Sequence, residues 1–249
     1  MKRVAETQLL IFPLAIEAQA TLRRRRARAV GRCGVGKRFV AGCENRRIEV
    51  LISGPGRQSS ESLSRWLELT QARGAGDEER GLRITLFGFA GALSGSLKKG
   101  QICWFRHCSL KDDSPSLALG GDKADARGVS LLTSSELILR TEQRRALHAS
   151  TQAHAVDMEA YWLANVLAYQ QRSLECCRII SDDHAEDLPP WVGSLFEARS
   201  RWSQWYQAAR IAAIQRGGVG WLRQMKRTAE ALSSALADEV DLHLASNRD

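Results

Sequence analysis

The sequence predicts an α/β protein: one domain in which helices flank a largely buried sheet. Three observations carry this expectation. Short apolar and β-branched runs alternate along the chain with longer stretches of helical period. The 249 residues, 44% of them hydrophobic and 26% charged, have the size and balance of a globular chain with a substantial core. No apolar run reaches the roughly eighteen residues of a membrane-spanning helix.

Lys2 and Arg3, then LLIFPLAI and AQA, imitate a secretory leader. Pro13 interrupts that run and Glu17 with an arginine block follows it, so Leu9–Leu14 is read as a first buried strand. Glu17–Arg28 is expected to be helical, with RRRRAR at 23–28 as its solvated end. Strands are expected at Arg38–Cys43 and Arg46–Ser53, then a helix at Ser59–Ala72. GAGDEERG at 74–81 has the composition of an exposed turn. Leu82–Phe87 and Gln101–His107 read as strands, and KDDSPSLALGGDKADARG at 111–128 as a polar loop. Val129–Thr133 reads as a strand and Glu142–Ser150 as a helix. AVDMEAYWLANVLAYQ at 155–170 begins as a strand end and continues as a helix over Glu159–Gln171. A strand at Cys176–Ser181 and helices at Leu195–Ile214 and Trp221–Leu244 complete the chain. Trp191, Trp202, Trp205 and Trp221 in this last third suit core or interface packing.

The net charge of +8, from 36 basic and 28 acidic residues, favours polyanions such as nucleic acid or a membrane face. No aromatic or glycine pattern of a nucleic-acid module interleaves with the arginine block, so nucleic acid is not the expected partner. The six cysteines (33, 43, 103, 108, 176 and 177) form no CxxC pair and read as reduced thiols of a cytoplasmic protein. Cys103, His107 and Cys108 lie close in sequence, but no second ligand pair accompanies them and no metal is expected.

In α/β sheets ligands collect beyond the carboxyl ends of strands. Three such places stand out: SGPGRQSS from Ser53, GFAGALSGSLKKG after Phe87, and SDDHAEDLPPW after Ile180. Gly54, Gly56, Gly88 and Gly91 let backbone approach a ligand, and free N–H groups at helix starts favour anionic or hydroxyl-rich groups. Asp182 reads either as a helix cap or as a general acid. Glu159 reads either as a charge complementing a helix N-terminus or as a clamp accepting two hydrogen bonds from a vicinal diol. On the residues alone the cap and the helix-complementing charge are the favoured readings.

AVDMEAYWLANV resembles the Val-Glu/Asp-Met-Glu helix start of the nucleoside phosphorylase and nucleosidase superfamily. RIISDDHAED is similar to its Arg-x-Ile-Ser-Asp stretch downstream, and FGFAGALSGSLKKGQI to its glycine-alanine segment upstream. PLAIEA and ISGPG resemble its first strand end and its glycine turn; the five segments fall in the right order between residues 9 and 190. Within the superfamily, DMEA followed by DLPP looks most like the hopanoid-associated phosphorylases, with the methylthioadenosine/S-adenosylhomocysteine nucleosidases more distant.

The resemblance implies a three-layer α/β/α fold with a central mixed, partly barrel-like sheet, and cleavage of the N-glycosidic bond of a purine nucleoside or 5′-substituted adenosine. It implies Asp182 as the group that protonates or hydrogen-bonds purine N7, Glu159 as the ribose clamp and Met158 as the residue beneath the sugar. Glu17 matches the glutamate that activates water in the nucleosidases. Gly54, Phe89, Ala90 and Gly91 fall on substrate-binding segments, and Asp157 is expected to be structural. It further implies no metal or organic cofactor, a homodimer or larger assembly, and phosphorolysis of an adenosyl-hopanoid precursor with inorganic phosphate as co-substrate. The basic surface would then suit peripheral contact with an anionic membrane. Several departures bear on this. Phe89 replaces a small or hydroxyl residue, and Ala92 a glycine. Leu86 stands where bacterial purine nucleoside phosphorylases carry an arginine for phosphate, leaving Arg57 as the substitute cation. Without such a cation the resemblance leaves hydrolysis with Glu17, or a non-catalytic nucleoside-binding protein. His184 lies near Asp182 in sequence and is read as incidental.

Overall fold

The computed structural model describes residues 6–43, 46–72, 82–111, 114–121, 123, 128–189, 192 and 218–246. In chain order the elements are β1 (Glu6–Phe12), α1 (Ala15–Arg24), β2 (Arg28–Cys33), β3 (Gly36–Cys43), β4 (Arg46–Ile52), α2 (Gln58–Gln71) and β5 (Arg83–Ala92). There follow β6 (Ile102–Phe105), β7 (His107–Leu110), β8 (Leu117–Ala118), β9 (Ser130–Thr133), α3 (Thr141–Thr151), β10 (Ala155–Asp157), α4 (Ala160–Ala168), β11 (Glu175–Asp182) and α5 (Gly218–Ser246).

The strands form one mixed sheet of eleven. β1 lies between two parallel neighbours, β4 and β5, and its Leu9–Phe12 run is fully buried, as a strand covered on both faces requires. β5 is the hub. Its first half pairs with β1, its other edge pairs with β11 from Thr85 to Gly91, and its last two residues pair with β10. From β10 the sheet runs through β9 to β7, while β11 runs to β6. Because β6 and β7 are joined through Arg106, that path closes on itself and makes the barrel-like part of the sheet.

Helices cover both faces. Leu63 and Trp66 of α2 and Leu163 and Leu167 of α4 pack with Leu9 and Leu86 on one side. Ala18 of α1 and Leu236 and Val240 of α5 pack with Leu10, Phe87 and Ile179 on the other. The three-layer α/β/α arrangement with a mixed, partly barrel-like sheet is therefore present.

Four local expectations change. The first helix ends at Arg24, the chain reverses at Arg26 with φ of 48°, and residues from Arg28 form strand β2. The arginine block is accordingly not one solvated helix end: Arg24 pairs with Asp238 and Arg25 with Asp241, both on α5. Within the 111–128 loop, Leu117–Ala118 pairs with β7 as a short strand. The strand beginning at Leu82 runs on to Ala92, carrying Phe89, Ala90 and Gly91 into the sheet. The expected helix Leu195–Ile214, the turn at 74–81 and the side chains of Trp191, Trp202, Trp205 and Trp221 lie outside the described residues.

Among the described residues no helix is long and apolar enough to cross a membrane, and no group of three or more His, Cys, Asp or Glu is placed to hold a metal ion. Cys33, Cys108, Cys176 and Cys177 are buried outside disulfides, and burial pushes the Cys176 thiol up to about 12, so these groups serve as packing.

Candidate active site

The carboxyl ends of β1, β5, β10 and β11 converge on a cavity of about 490 Å³, closed on one side by Met225, Ala229 and Leu232 of α5. Two groups of buried, paired charges stand at this cavity, one beside Gly88 and one beside Gly91 of β5. The two glycines are three positions apart on the strand, or roughly 10 Å.

The first group is built around Arg178, whose side chain is fully buried. Its Nη2 donates to Asp157 Oδ2 and, at 3.2 Å, to Glu159 Oε2. Asp157 also accepts hydrogen bonds from Thr133 Oγ1 at 2.7 Å and from the Ala160 N–H at 3.0 Å. It therefore caps the first turn of α4 and anchors the arginine. Glu159 Oε1 accepts the Gly56 N–H at 2.8 Å; Gly56 has φ of 63°, a conformation glycine adopts without strain. The SGPGR turn thus buttresses the glutamate.

Glu17, in the first turn of α1, accepts the Leu14 N–H on one oxygen and the Phe89 N–H on the other, each at 2.7 Å. Burial raises its pKa to about 7, against the pull of Arg178 and the two backbone N–H groups. Glu159 is raised to about 8, first by burial and further by the charges of Asp157 and Glu17, with Arg178 opposing. Three carboxyls facing one guanidinium make this end of the cavity a place that favours positive charge and holds carboxyls able to exchange protons near neutrality.

The second group is Asp182 with Arg144. Arg144 Nη1 lies 2.5 Å from Asp182 Oδ2, and Ser181 Oγ donates to Asp182 Oδ1. Asp182 lines the cavity at the end of β11, where a register shift follows Ile180.

Glu17, Met158, Glu159, Phe89, Ala90, Gly91 and Asp182, singled out in the sequence, all line this cavity. Gly54 and Arg57 are not in its lining. Gly54 turns the chain at φ of 88° and donates its N–H to Pro13, while the Arg57 guanidinium stacks over the Trp162 ring, 5.1 Å from its centroid. The side chain suggested as a phosphate cation thus rests on an aromatic face, outside that lining. Leu86 is wholly within the core, and His184 packs beside Gly95 outside the cavity lining. Gly88 and Gly91 have ligand-free roles: a Cβ at Gly88 would meet Arg178 Nη1, and one at Gly91 would come within 2.8 Å of Asp182 Oδ2 and 2.9 Å of Arg144 Nη1.

The sequence reading overlooked Arg144, Arg178 and the buttressing role of Gly56. Arg178 stands in the quoted RIISD motif, and its position inside an apolar strand run was a signal of a buried, paired charge. Arg144 lies in TEQRRAL, a polar helix in which no local feature separates it from Arg145.

No family model matches the chain, and no curated protein matches it in sequence. Solved structures do match in shape. A point variant of the Helicobacter pylori 5′-methylthioadenosine/S-adenosylhomocysteine nucleosidase, with 5′-methylthioadenosine in its active site, superimposes with a TM-score of 0.61 at 14% identity, over 95% of this chain and 98% of that one. A mutant futalosine hydrolase of the same species gives 0.60 at 15%, over 81% and 95%. The Campylobacter jejuni nucleosidase gives 0.60 at 12%, over 94% and 97%. The chain shares its fold with these nucleosidases and this futalosine hydrolase, and at these identities the likeness is one of fold.

Proposed function

We propose that this chain, built on the nucleosidase fold, cleaves the N-glycosidic bond of a purine nucleoside or 5′-substituted adenosine, with water as the attacking group. The observation that carries the reading is one cavity lined both by Glu17 and Glu159, which gather around Arg178 near Gly88 of β5, and by Asp182, which lies near Gly91 of the same strand. Breaking an N-glycosidic bond makes the sugar cationic while the base gains a proton. Carboxyls able to ionise at the sugar and a carboxyl at the base meet both needs.

In this reading Glu159, held by Gly56 and Arg178, accepts the ribose hydroxyls. Met158 packs against the sugar, Glu17 takes the proton of the attacking water, and Asp182 hands a proton to purine N7. Water gives its oxygen to C1′, and the base leaves as the neutral purine. No cofactor enters this scheme. Leu14, Met225, Ala229 and Leu232 give the cavity an apolar wing that suits an apolar 5′ substituent, as an adenosyl-hopanoid precursor would carry.

Phosphorolysis needs a cation for phosphate at the sugar end. Among the described residues Arg178 is paired with carboxylates, Arg144 with Asp182, Arg57 with Trp162, Lys99 with Glu186, and Lys226, on α5, with Glu230 one turn along. This supports water over phosphate. The test is purine release from a panel of 5′-substituted adenosines with and without phosphate, alongside Asp182→Asn. Release independent of phosphate and lost in the variant is expected. Release only with phosphate would replace hydrolysis by phosphorolysis, and nucleoside binding without turnover by folded protein would replace the enzyme by a binding protein.

A further inference from the structure

Arg144 is 1% exposed although it belongs to a polar helix. Its guanidinium reaches three separate parts of the cavity wall. Nη1 donates to the Ala92 carbonyl at the end of β5 at 3.1 Å and lies 2.5 Å from Asp182 Oδ2 at the end of β11. Nη2 donates at 3.0 Å to the carbonyl of Ile138, which itself lines the cavity. The start of α3 also grips the segment that follows Asp182: Thr141 donates to Asp187 Oδ1 through N–H and hydroxyl, each at 2.7 Å, and the Leu188 N–H donates to Leu139 at 2.8 Å. The absence of a side chain at Gly91 makes this crossing possible, because a Cβ there would crowd both Arg144 Nη1 and Asp182 Oδ2.

We propose that Arg144 is the positioning residue of the base end: it pairs with Asp182 and fixes the direction in which that carboxyl meets the departing purine. The inference rests on the reading of Asp182 as the group facing the base. A guanidinium held by two carbonyls cannot follow a swinging side chain, so its charge beside Oδ2, with the Ser181 hydroxyl on Oδ1, opposes rotation of the Asp182 carboxyl. Arg144 then affects base departure through Asp182 and leaves the sugar end alone.

That division gives a test that simple loss of structure cannot imitate. A purine must gain a proton to leave, whereas the nitrophenolate of 4-nitrophenyl β-D-riboside leaves without one. Arg144→Gln is expected to lower kcat for a purine nucleoside by about 30-fold or more, within the range a positioned acid contributes. For the nitrophenyl riboside kcat should stay within about threefold. Arg144→Lys should recover part of the purine rate, and Arg144→Gln should cost nothing further in an Asp182→Asn background, since residues acting as a unit are not additive. Should Arg144→Gln fail to fold, the same comparison is made with Arg144→Lys, which keeps the charge but not the fork. Equal slowing of both substrates, or a further loss in the Asp182→Asn background, would overturn the positioning role. Purine rates unaffected by Asp182→Asn in an active wild-type enzyme would instead overturn the reading of Asp182, separately from that of Arg144.

Discussion

The Arg178 guanidinium crosses directly over Gly88, where even a methyl side chain would collide with Nη1 and approach Glu17 Oε1 to 2.9 Å. Gly88 therefore sets the depth at which the buried arginine meets Asp157 and Glu159. Gly88→Ala should overpack this site, costing about 1–3 kcal/mol, and abolish turnover. Thermal unfolding should show a fall of roughly 5 °C. Gly42→Ala is the control, because nothing lies within 4 Å of a Cβ there. An unchanged melting temperature for Gly88→Ala would show that Arg178 is free to move.

Glu17 should govern the pH dependence of turnover. As the group that takes the proton of water it must be ionised, and burial sets its pKa at about 7. Activity should rise as pH increases through 7, and Glu17→Gln should remove nearly all of it. A pH profile flat from 6 to 8 in the wild type would sink this role.

The same two carboxyls make stability depend on pH. Glu17 at about 7 and Glu159 at about 8 hold their protons more tightly in the folded chain than in the unfolded one, where the value is about 4.5. Between those values the folded chain carries more protons, so their contribution is full below 4.5 and is lost as pH rises through 7 to 8. The ligand-free protein should melt about 5 °C lower at pH 8.5 than at pH 5.5, with the difference reduced in Glu17→Gln. A larger drop in the variant would contradict the assignment.

Glu159→Gln exchanges a carboxyl for an amide at a site where Arg178 and the Gly56 N–H already converge. A carboxyl that ionises only near pH 8 offers the ribose hydroxyls bonds worth about 0.5–1.5 kcal/mol each at neutral pH, so kcat/KM should fall by about tenfold. Steady-state kinetics on a riboside give the answer; a loss below fivefold would remove Glu159 from the ribose.

Arg57→Ala tests the cation first suggested for phosphate. Its guanidinium rests on Trp162, so the variant should change turnover by less than about threefold, with or without phosphate, while slightly lowering stability. A selective loss of phosphate-dependent rate would restore Arg57 to the site.

Legibility differed from segment to segment for physical reasons. β1, β4, β11 and helices α2, α3 and α4 were readable because each follows its own hydrophobic period, which is set locally. β2 was not, because its pairing edge on β3 lies beyond a turn and its first five residues are all exposed, so no alternation marks it. The arginine block misled for the same reason: the acids that claim Arg24 and Arg25 lie more than two hundred residues away. Among site residues, Glu17, Glu159 and Asp182 stood out because each carboxyl follows an apolar strand or opens a helix. Arg144 has no such context, and Gly56 looked like a ligand-facing glycine until Glu159 was found on its N–H.

By itself, then, the sequence determined an α/β chain with its carboxyls at strand ends, because periodicity and strand-end chemistry are properties of neighbouring residues. Only the tertiary structure decided what those carboxyls face. Arg178 meets Asp157 and Glu159, and Arg144 meets Asp182, across separate strands and a helix. The charge felt by a buried group depends on distance in space, which the order of residues does not contain.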